Sequence, residues 1–431
     1  MNSKTSNLIK EQFPFFQENP QVTYLDSAAS SLVPRSVIEA VNEYYEKSGV
    51  NIHRGVYKAS AWATDIYEAT RKEVSDFIDA KNCDIIYTRN ATEGLNLVAA
   101  SLSQVDKELS DFNGYSAWKT GFQSGDVILI SESEHHANIV PWMMLQRKFN
   151  LEIFYIPVLD NGVLDFQSFL HLKSVLRNKT VKIVSLAHVS NVTGVYHDLS
   201  VYEAYAREKG AIFVVDAAQS VCHERISQTG LNADFLVFSA HKMLGPSGIG
   251  ILCGKKELLT VLPPYQTGGD MIEVVAKDRL TFQTSPQRFE AGTPHIAGVF
   301  GLSEAVKILQ NFEQSDMEKN EEELTLLLLE RLSREKGIKI QGPVYEDVRD
   351  KKIKKAGLVS FTLNGVHPHD VGTIFDSKDV AIRVGHHCCQ ILMKVFQVPA
   401  TCRASLYMYN DENDIENFFK ALHEVKSVFG L

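Results

Sequence analysis

Lys242 ends an apolar run, Ala233-Asp-Phe-Leu-Val-Phe238 followed by Ser239-Ala-His241, and precedes a turn broken by Gly245, Gly248 and Gly250. A lysine so placed sits at the mouth of a sheet. Desolvation there lowers its pKa, and the free amine can form a Schiff base with an aldehyde. Ser239 and His241 flank it and suit a phosphate group. The competing reading is a surface lysine in a turn. A second reactive group lies far downstream, in Arg383-Val-Gly-His-His-Cys388-Cys389. A thiol beside imidazoles and an arginine gains thiolate character and can be a nucleophile. Zinc binding finds no support, because no C-x-x-C pair is present. From the residues alone, nucleophile and inert thiol remain equal readings for Cys388.

Other polar residues follow apolar runs. Thr92 comes after Asp84-Ile-Ile-Tyr-Thr88, where free backbone amides at a helix start suit phosphate; a helix N-cap is the alternative. His135 follows Asp126-Val-Ile-Leu-Ile130, and Asn191 follows Val181-Lys-Ile-Val-Ser-Leu186. Asp216 ends Ala211-Ile-Phe-Val-Val215 and needs a cationic partner if buried. His53 and Arg54 form a loop pair suited to an anion, or two exposed turn residues. Arg403 precedes a strand and offers a fork for a carboxylate.

These residues must be carried by strands that alternate with helices. The spacing predicts helices over Trp62–Ile78, Phe166–Val175 and Leu199–Lys209 between the strands named above. Such alternation predicts a mostly parallel sheet with helices on both faces. Right-handed crossovers then bring Thr92, His135, Asn191, Asp216 and Lys242 to one edge. An aldehyde, a phosphate and a protonated pyridine nitrogen would satisfy that set, which is the chemistry of pyridoxal 5′-phosphate (PLP). From about residue 337 the pattern turns to short strands, Ile338–Ile340, Leu358–Leu363 and Val380–Val384, with a closing helix over Asp411–Phe429, an α+β unit. The polar stretch 103–124 reads as an exposed excursion. The expected division is an arm (1–22) docked on the small domain, a large PLP-binding domain (23–300) and a small C-terminal domain (301–431) carrying Cys388.

The bulk properties narrow the classes. With 431 residues and a net charge of −9, the chain is too long for one core and carries no basic patch for nucleic acid. No apolar run spans a bilayer, and the first residues lack a signal-peptide core, so the expected place is the cytoplasm. Six cysteines are then thiols rather than a disulfide framework. Adjacent His135 and His136 without further ligands at helical spacing argue against a metal site.

The chain resembles the group II, SUF-type cysteine desulfurases and their selenocysteine lyase relatives, within the class V aminotransferase (fold-type I) superfamily. The resemblance runs from Tyr24-Leu-Asp-Ser-Ala-Ala29 to Cys402-Arg-Ala-Ser-Leu-Tyr-Met-Tyr-Asn410. Its most specific pieces are Glu134-His-His-Ala-Asn-Ile-Val-Pro-Trp142, Phe289-Glu-Ala-Gly-Thr-Pro294 and Arg383-Val-Gly-His-His-Cys388. It implies a seven-stranded-type sheet and a homodimer. It makes Lys242 the Schiff-base lysine, His135 the imidazole over the cofactor ring, and Asp216 and Gln219 the partners of the ring nitrogen and oxygen. Thr92, Ser239, His241 and, from the other subunit, Thr293 match phosphate ligands. Asn191 and Arg403 match the substrate-carboxylate contacts, Arg383 lies near the thiol, and Cys388 takes the sulfur. The implied reaction converts L-cysteine to L-alanine with a persulfide on Cys388, and a protein acceptor then takes the sulfur. L-selenocysteine cleavage, another class V lyase or aminotransferase reaction, and a non-enzymatic protein with a vestigial site are the alternatives. Asn90-Ala91 stands where the family often has Gly-Thr, Thr267 where a third glycine is common, and Cys389 where a small residue is usual. Cys389 reads as buried filler or as a partner in sulfur exchange.

Overall fold

A computed structural model describes residues 9–105, 115–312 and 314–431. Its main sheet has seven strands: β1 (Cys83–Thr88), β2 (Val127–Ser131), β3 (Glu152–Ile156), β4 (Val181–Ala187), β5 (Ile212–Asp216), β6 (Phe235–Ser239) and β7 (Gly250–Lys255). Their spatial order is β1-β7-β6-β5-β4-β2-β3. Only β7 runs antiparallel to its neighbours, so the sheet is mixed but mostly parallel. These strands are short runs of β-branched and aromatic residues, and β2, β4, β5 and β6 are buried throughout. Successive side chains enter opposite cores. Val127 and Leu129 pack into one, Ile128 and Ile130 into the other. Helices α1 (Arg35–Lys47) and α2 (Lys58–Phe77) cover the first face, and α3 (Ala91–Leu102) packs on the second. The chain forms α2 as one continuous helix that starts four residues before the predicted Trp62.

A second sheet holds β8 (Ile338–Gln341), β9 (Leu358–Leu363), β10 (Arg383–Gly385) and β11 (Thr401–Ser405) in the order β8-β9-β11-β10, all antiparallel. Helices α5 (Gln314–Arg334) and α6 (Glu412–Phe429) cover it, whereas α4 (Ile296–Asn311) packs with α1 and α2 in the first core. The predicted strand Val380–Val384 is split. Val380–Ala381 pairs with Thr23–Tyr24, while β10 pairs with β11, so the chain changes partner at Ile382. The described part of the arm docks through Phe13, whose ring meets Tyr409 at 5.0 Å, and Lys10, 3.0 Å from Asp414.

The excursion predicted to be exposed is so only in part where it is described: Ser116, Lys119, Thr120, Gln123 and Ser124 are exposed, but its aromatic side chains are not; residues 106–114 lie outside the described residues. Tyr115, Trp118 and Phe122 are buried against the second core. Lys182 Nζ donates to the carbonyls of Ala117, Thr120 and Gly121, and Tyr115 donates to Asp234 at 2.7 Å. Three aromatic rings among polar residues were the signal for burial, because apolar area is what a surface loop loses by docking.

Candidate active site

One cavity of about 250 Å³ opens at the carboxyl edge of the main sheet. It is lined by Thr92, His135, Asn191, Asp216, Gln219, Ser239, His241, Lys242, Arg383, Cys388 and Arg403. Eleven of the residues read from the sequence thus converge. His53, Arg54 and Thr293 do not line it. His53 is held by Glu68 at 3.0 Å and Arg54 by Asp270 at 3.0 Å, in a separate cleft. Thr293 lines a third cavity with Tyr67 and Glu290.

The strand ends fix the geometry. Lys242 closes a short turn, Ala240–Lys242, after β6. The carbonyl of His241 accepts from Ser31 N at 2.8 Å, and Leu244 N donates to Ser31 Oγ at 2.8 Å. The small residues after Tyr24 therefore buttress the lysine turn. Burial lowers the Lys242 pKa, against the opposing pull of Asp216, and favours the free amine. Burial raises the Asp216 carboxyl, which accepts from Ala218 N at 2.9 Å and has no ion pair among the described residues. A cation bound in the cavity would complete it. Gln219 Nε2 donates to Ala28 O at 2.8 Å, which leaves Gln219 Oε1 as a buried acceptor without a partner among the described residues.

At the opposite end, Asn90 caps α3 by accepting from Glu93 N at 2.9 Å. The cap thus falls on Asn90 and leaves Thr92 on the cavity wall. Ala91 N donates to Ser239 Oγ at 2.8 Å, so Ser239 joins the two loops. Gly250 passes beneath this turn, and a Cβ there would lie 2.4 Å from Asn90 Cα. His135 Nδ1 accepts from Ala137 N at 3.1 Å, which places the neutral ring's proton on Nε2. Burial, reinforced by Lys242, holds its pKa down at about 3, and His241 is held at about 4 for the same reasons.

The thiol arrives on a tied loop. His387 and Cys388 take left-handed backbone, φ 50° and 57°, a conformation that needs support in non-glycine residues. Cys388 O accepts from His136 N at 2.7 Å, Cys388 N donates to His386 Nδ1 at 3.0 Å, and Gln390 N donates to His136 Nε2 at 3.3 Å. His387 Nε2 meets Thr401 Oγ1 at 2.8 Å. Arg403 donates through Nη1 to Asn191 O at 2.8 Å and through Nη2 to Asp26 Oδ1 at 3.1 Å; its Nε is buried without a partner among the described residues. Asp26 and His387 were not singled out from the sequence. An acid among the small residues after a short strand was the available signal for Asp26.

The fold and this cavity define an α/β enzyme with a reactive lysine at the sheet edge and a thiol brought from a second sheet. The chain belongs to the aminotransferase class-V family, whose model matches residues 23–418. It is 41% identical over 427 residues to a probable cysteine desulfurase of Staphylococcus aureus, covering 98% of this chain and 97% of that one. A probable cysteine desulfurase of Halalkalibacterium halodurans is 40% identical over 426 residues, 98% of each chain. Among solved structures, the cysteine desulfurase CsdA of Escherichia coli superposes with TM-score 0.84 at 32% identity, covering 98% of both chains. A cysteine desulfurase of Thermococcus onnurineus gives 0.84 at 37%, covering 99% of this chain and 98% of that one.

Proposed function

We propose that the protein is a PLP-dependent cysteine desulfurase that converts L-cysteine to L-alanine and leaves the sulfur on Cys388 as a persulfide. The observation that carries this is that Lys242 and Cys388, from different sheets, line the same cavity as Arg403 and Asn191. The residues present suit PLP. Among the described residues Asp216 has no ion pair and Gln219 Oε1 no donor, and Ser239, His241 and Thr92 gather near the start of α3. Bound there, PLP supplies an aldehyde for the substrate amine and a ring that draws electrons from the substrate α-carbon.

The chain's own groups do the rest. Arg403 and Asn191 orient the substrate carboxylate. Lys242 Nζ takes the α-proton, its free-amine form favoured by burial. The Cys388 thiolate attacks the substrate sulfur; the S–S bond forms as the carbon–sulfur bond breaks, the carbon keeps the bonding pair and takes a proton at Cβ, and Lys242 returns the proton to Cα, so that the skeleton leaves as L-alanine. His135, neutral with its proton on Nε2, stacks as a flat uncharged ring and carries a proton at that atom. Arg383 lines the same cavity as the thiol, and its cation steadies the substrate or the persulfide formed on Cys388.

In the same reading residues 23–300 hold the cofactor, residues 301–431 bring the thiol, and residues 1–22 join the two. Thr293 serves the phosphate of a second subunit in a homodimer. The tied Cys388 loop calls for an acceptor protein that reaches the cavity, for iron–sulfur cluster assembly or another sulfur-using path. Thiols suit a reducing compartment such as the cytoplasm. Among the described residues no helix is long and apolar enough to cross a membrane. The reading is tested by alanine release from L-cysteine and from L-selenocysteine, with wild type and Cys388→Ala. A desulfurase loses its cysteine activity in the variant. Equal rates with L-cysteine would refute the reading, and selenocysteine activity alone would make the enzyme a selenocysteine lyase.

A further inference from the structure

Asn191 joins three parts of the site. Its backbone carbonyl accepts from Arg403 Nη1 at 2.8 Å. Its Nδ2 donates to the carbonyl of His387 at 2.9 Å, and its Oδ1 accepts from the Cys389 thiol at 3.0 Å. A backbone carbonyl can only accept, so the amide nitrogen must face His387. A thiol proton then finds the amide oxygen on the other side. Turning the amide over would set acceptor against acceptor at His387. It would also set an N–H against the thiol's proton at Cys389.

We propose that Cys389 is a positioning residue: its thiol holds the Asn191 amide so that a free N–H, rather than the oxygen, is left for the substrate carboxylate. Asn191 has one Nδ2 hydrogen beyond the bond to His387, and it lines the cavity together with Arg403. A donor there attracts a carboxylate, and an amide oxygen would repel it. The thiol is fully buried, and that burial raises its pKa, so it stays a protonated donor. The adjacent cysteines therefore have separate work. Cys388 faces the cavity, whereas Cys389 lies behind it and acts through Asn191. This rests on the cysteine desulfurase reading, in which Asn191 meets the substrate carboxylate.

The test uses the PLP-loaded protein and L-alanine, which carries the same α-carboxylate. Calorimetry gives its Kd for wild type, Cys389→Ala, Cys389→Val and Cys389→Ser. Loss of one hydrogen bond predicts binding weaker by about three- to tenfold in the Ala and Val variants. The Ser variant, which keeps a donor, binds within about twofold of wild type, a margin below the worth of one hydrogen bond. In turnover of L-cysteine, KM rises more than kcat falls. The Val variant keeps the volume filled, so weak binding in Ala with normal binding in Val marks a cavity effect and overturns the proposal. It is equally overturned if Ala binds as wild type does, or if Ser binds as weakly as Ala. A wild type that binds L-alanine but forms no persulfide sinks the desulfurase reading and leaves the Cys389 result standing.

Discussion

Asp26 and Arg403 meet at 3.1 Å, carboxylate to guanidinium, beside the cavity. Arg403 is only 3% exposed, so its charge depends on this partner and on the Asn191 carbonyl. Removing the acid leaves a buried cation without its counter-charge. Asp26→Ala is expected to cost about 3 kcal/mol or more, read as a lower urea midpoint. KM for L-cysteine rises by about tenfold or more, equivalent to ~1.4 kcal/mol of lost binding. Asp26→Asn, which keeps an acceptor, falls between. An unchanged KM in Asp26→Ala would remove Arg403 from substrate binding.

Among the described residues Lys242, at the end of β6, is the one lysine that lines the cavity. After incubation with PLP and borohydride reduction, peptide mapping is expected to find the cofactor's mass on Lys242. Lys242→Ala carries no such adduct and releases no alanine. An adduct on another lysine in the wild type would contradict the assignment.

Much of this site is legible in the sequence because of strand order. Polar residues at the ends of β2, β4, β5 and β6 meet at one edge of a mostly parallel sheet whatever the loop details. What pairs with what is not legible. Asp26 finds Arg403 across 377 residues, and the parallel pairing of Leu25–Asp26 with β11 at Ser405 decides that contact. The ends of Val380–Val384 bond to different sheets, which no periodicity reveals. His53 and Arg54 look like anion ligands only until Glu68 and Asp270 are seen beside them.

The docked excursion gives a stability prediction. Trp118 is fully buried, donates from Nε1 to Lys182 O at 3.0 Å, and lies away from the cavity. Trp118→Ala is expected to cost about 3–5 kcal/mol. Turnover per folded molecule stays at the wild-type value. A urea midpoint equal to wild type would mean that this segment does not pack on the core.

His197 predicts acid sensitivity. It is buried near Ser133, and its pKa is pushed down from 6.5 to about 3. The unfolded chain binds a proton below pH 6.5 that the folded chain refuses, so stability falls as pH drops from about 6.5 toward 3, by about 1.4 kcal/mol per unit. Glu134, pushed up to about 7, acts in the opposite sense, and the two must be separated. Urea titrations at several pH values should show that His197→Gln loses less stability on acidification than wild type. Parallel curves would show that His197 is protonated in the folded state.

The central claim is that Cys388 receives the sulfur. The direct measurement is intact and peptide mass spectrometry of the PLP-loaded protein after L-cysteine, without reductant. The account predicts one added sulfur atom, mapped to Cys388, absent in Cys388→Ala and removed by a thiol reductant. Alanine produced while Cys388 stays unmodified, or sulfur found only on Cys389, would contradict it.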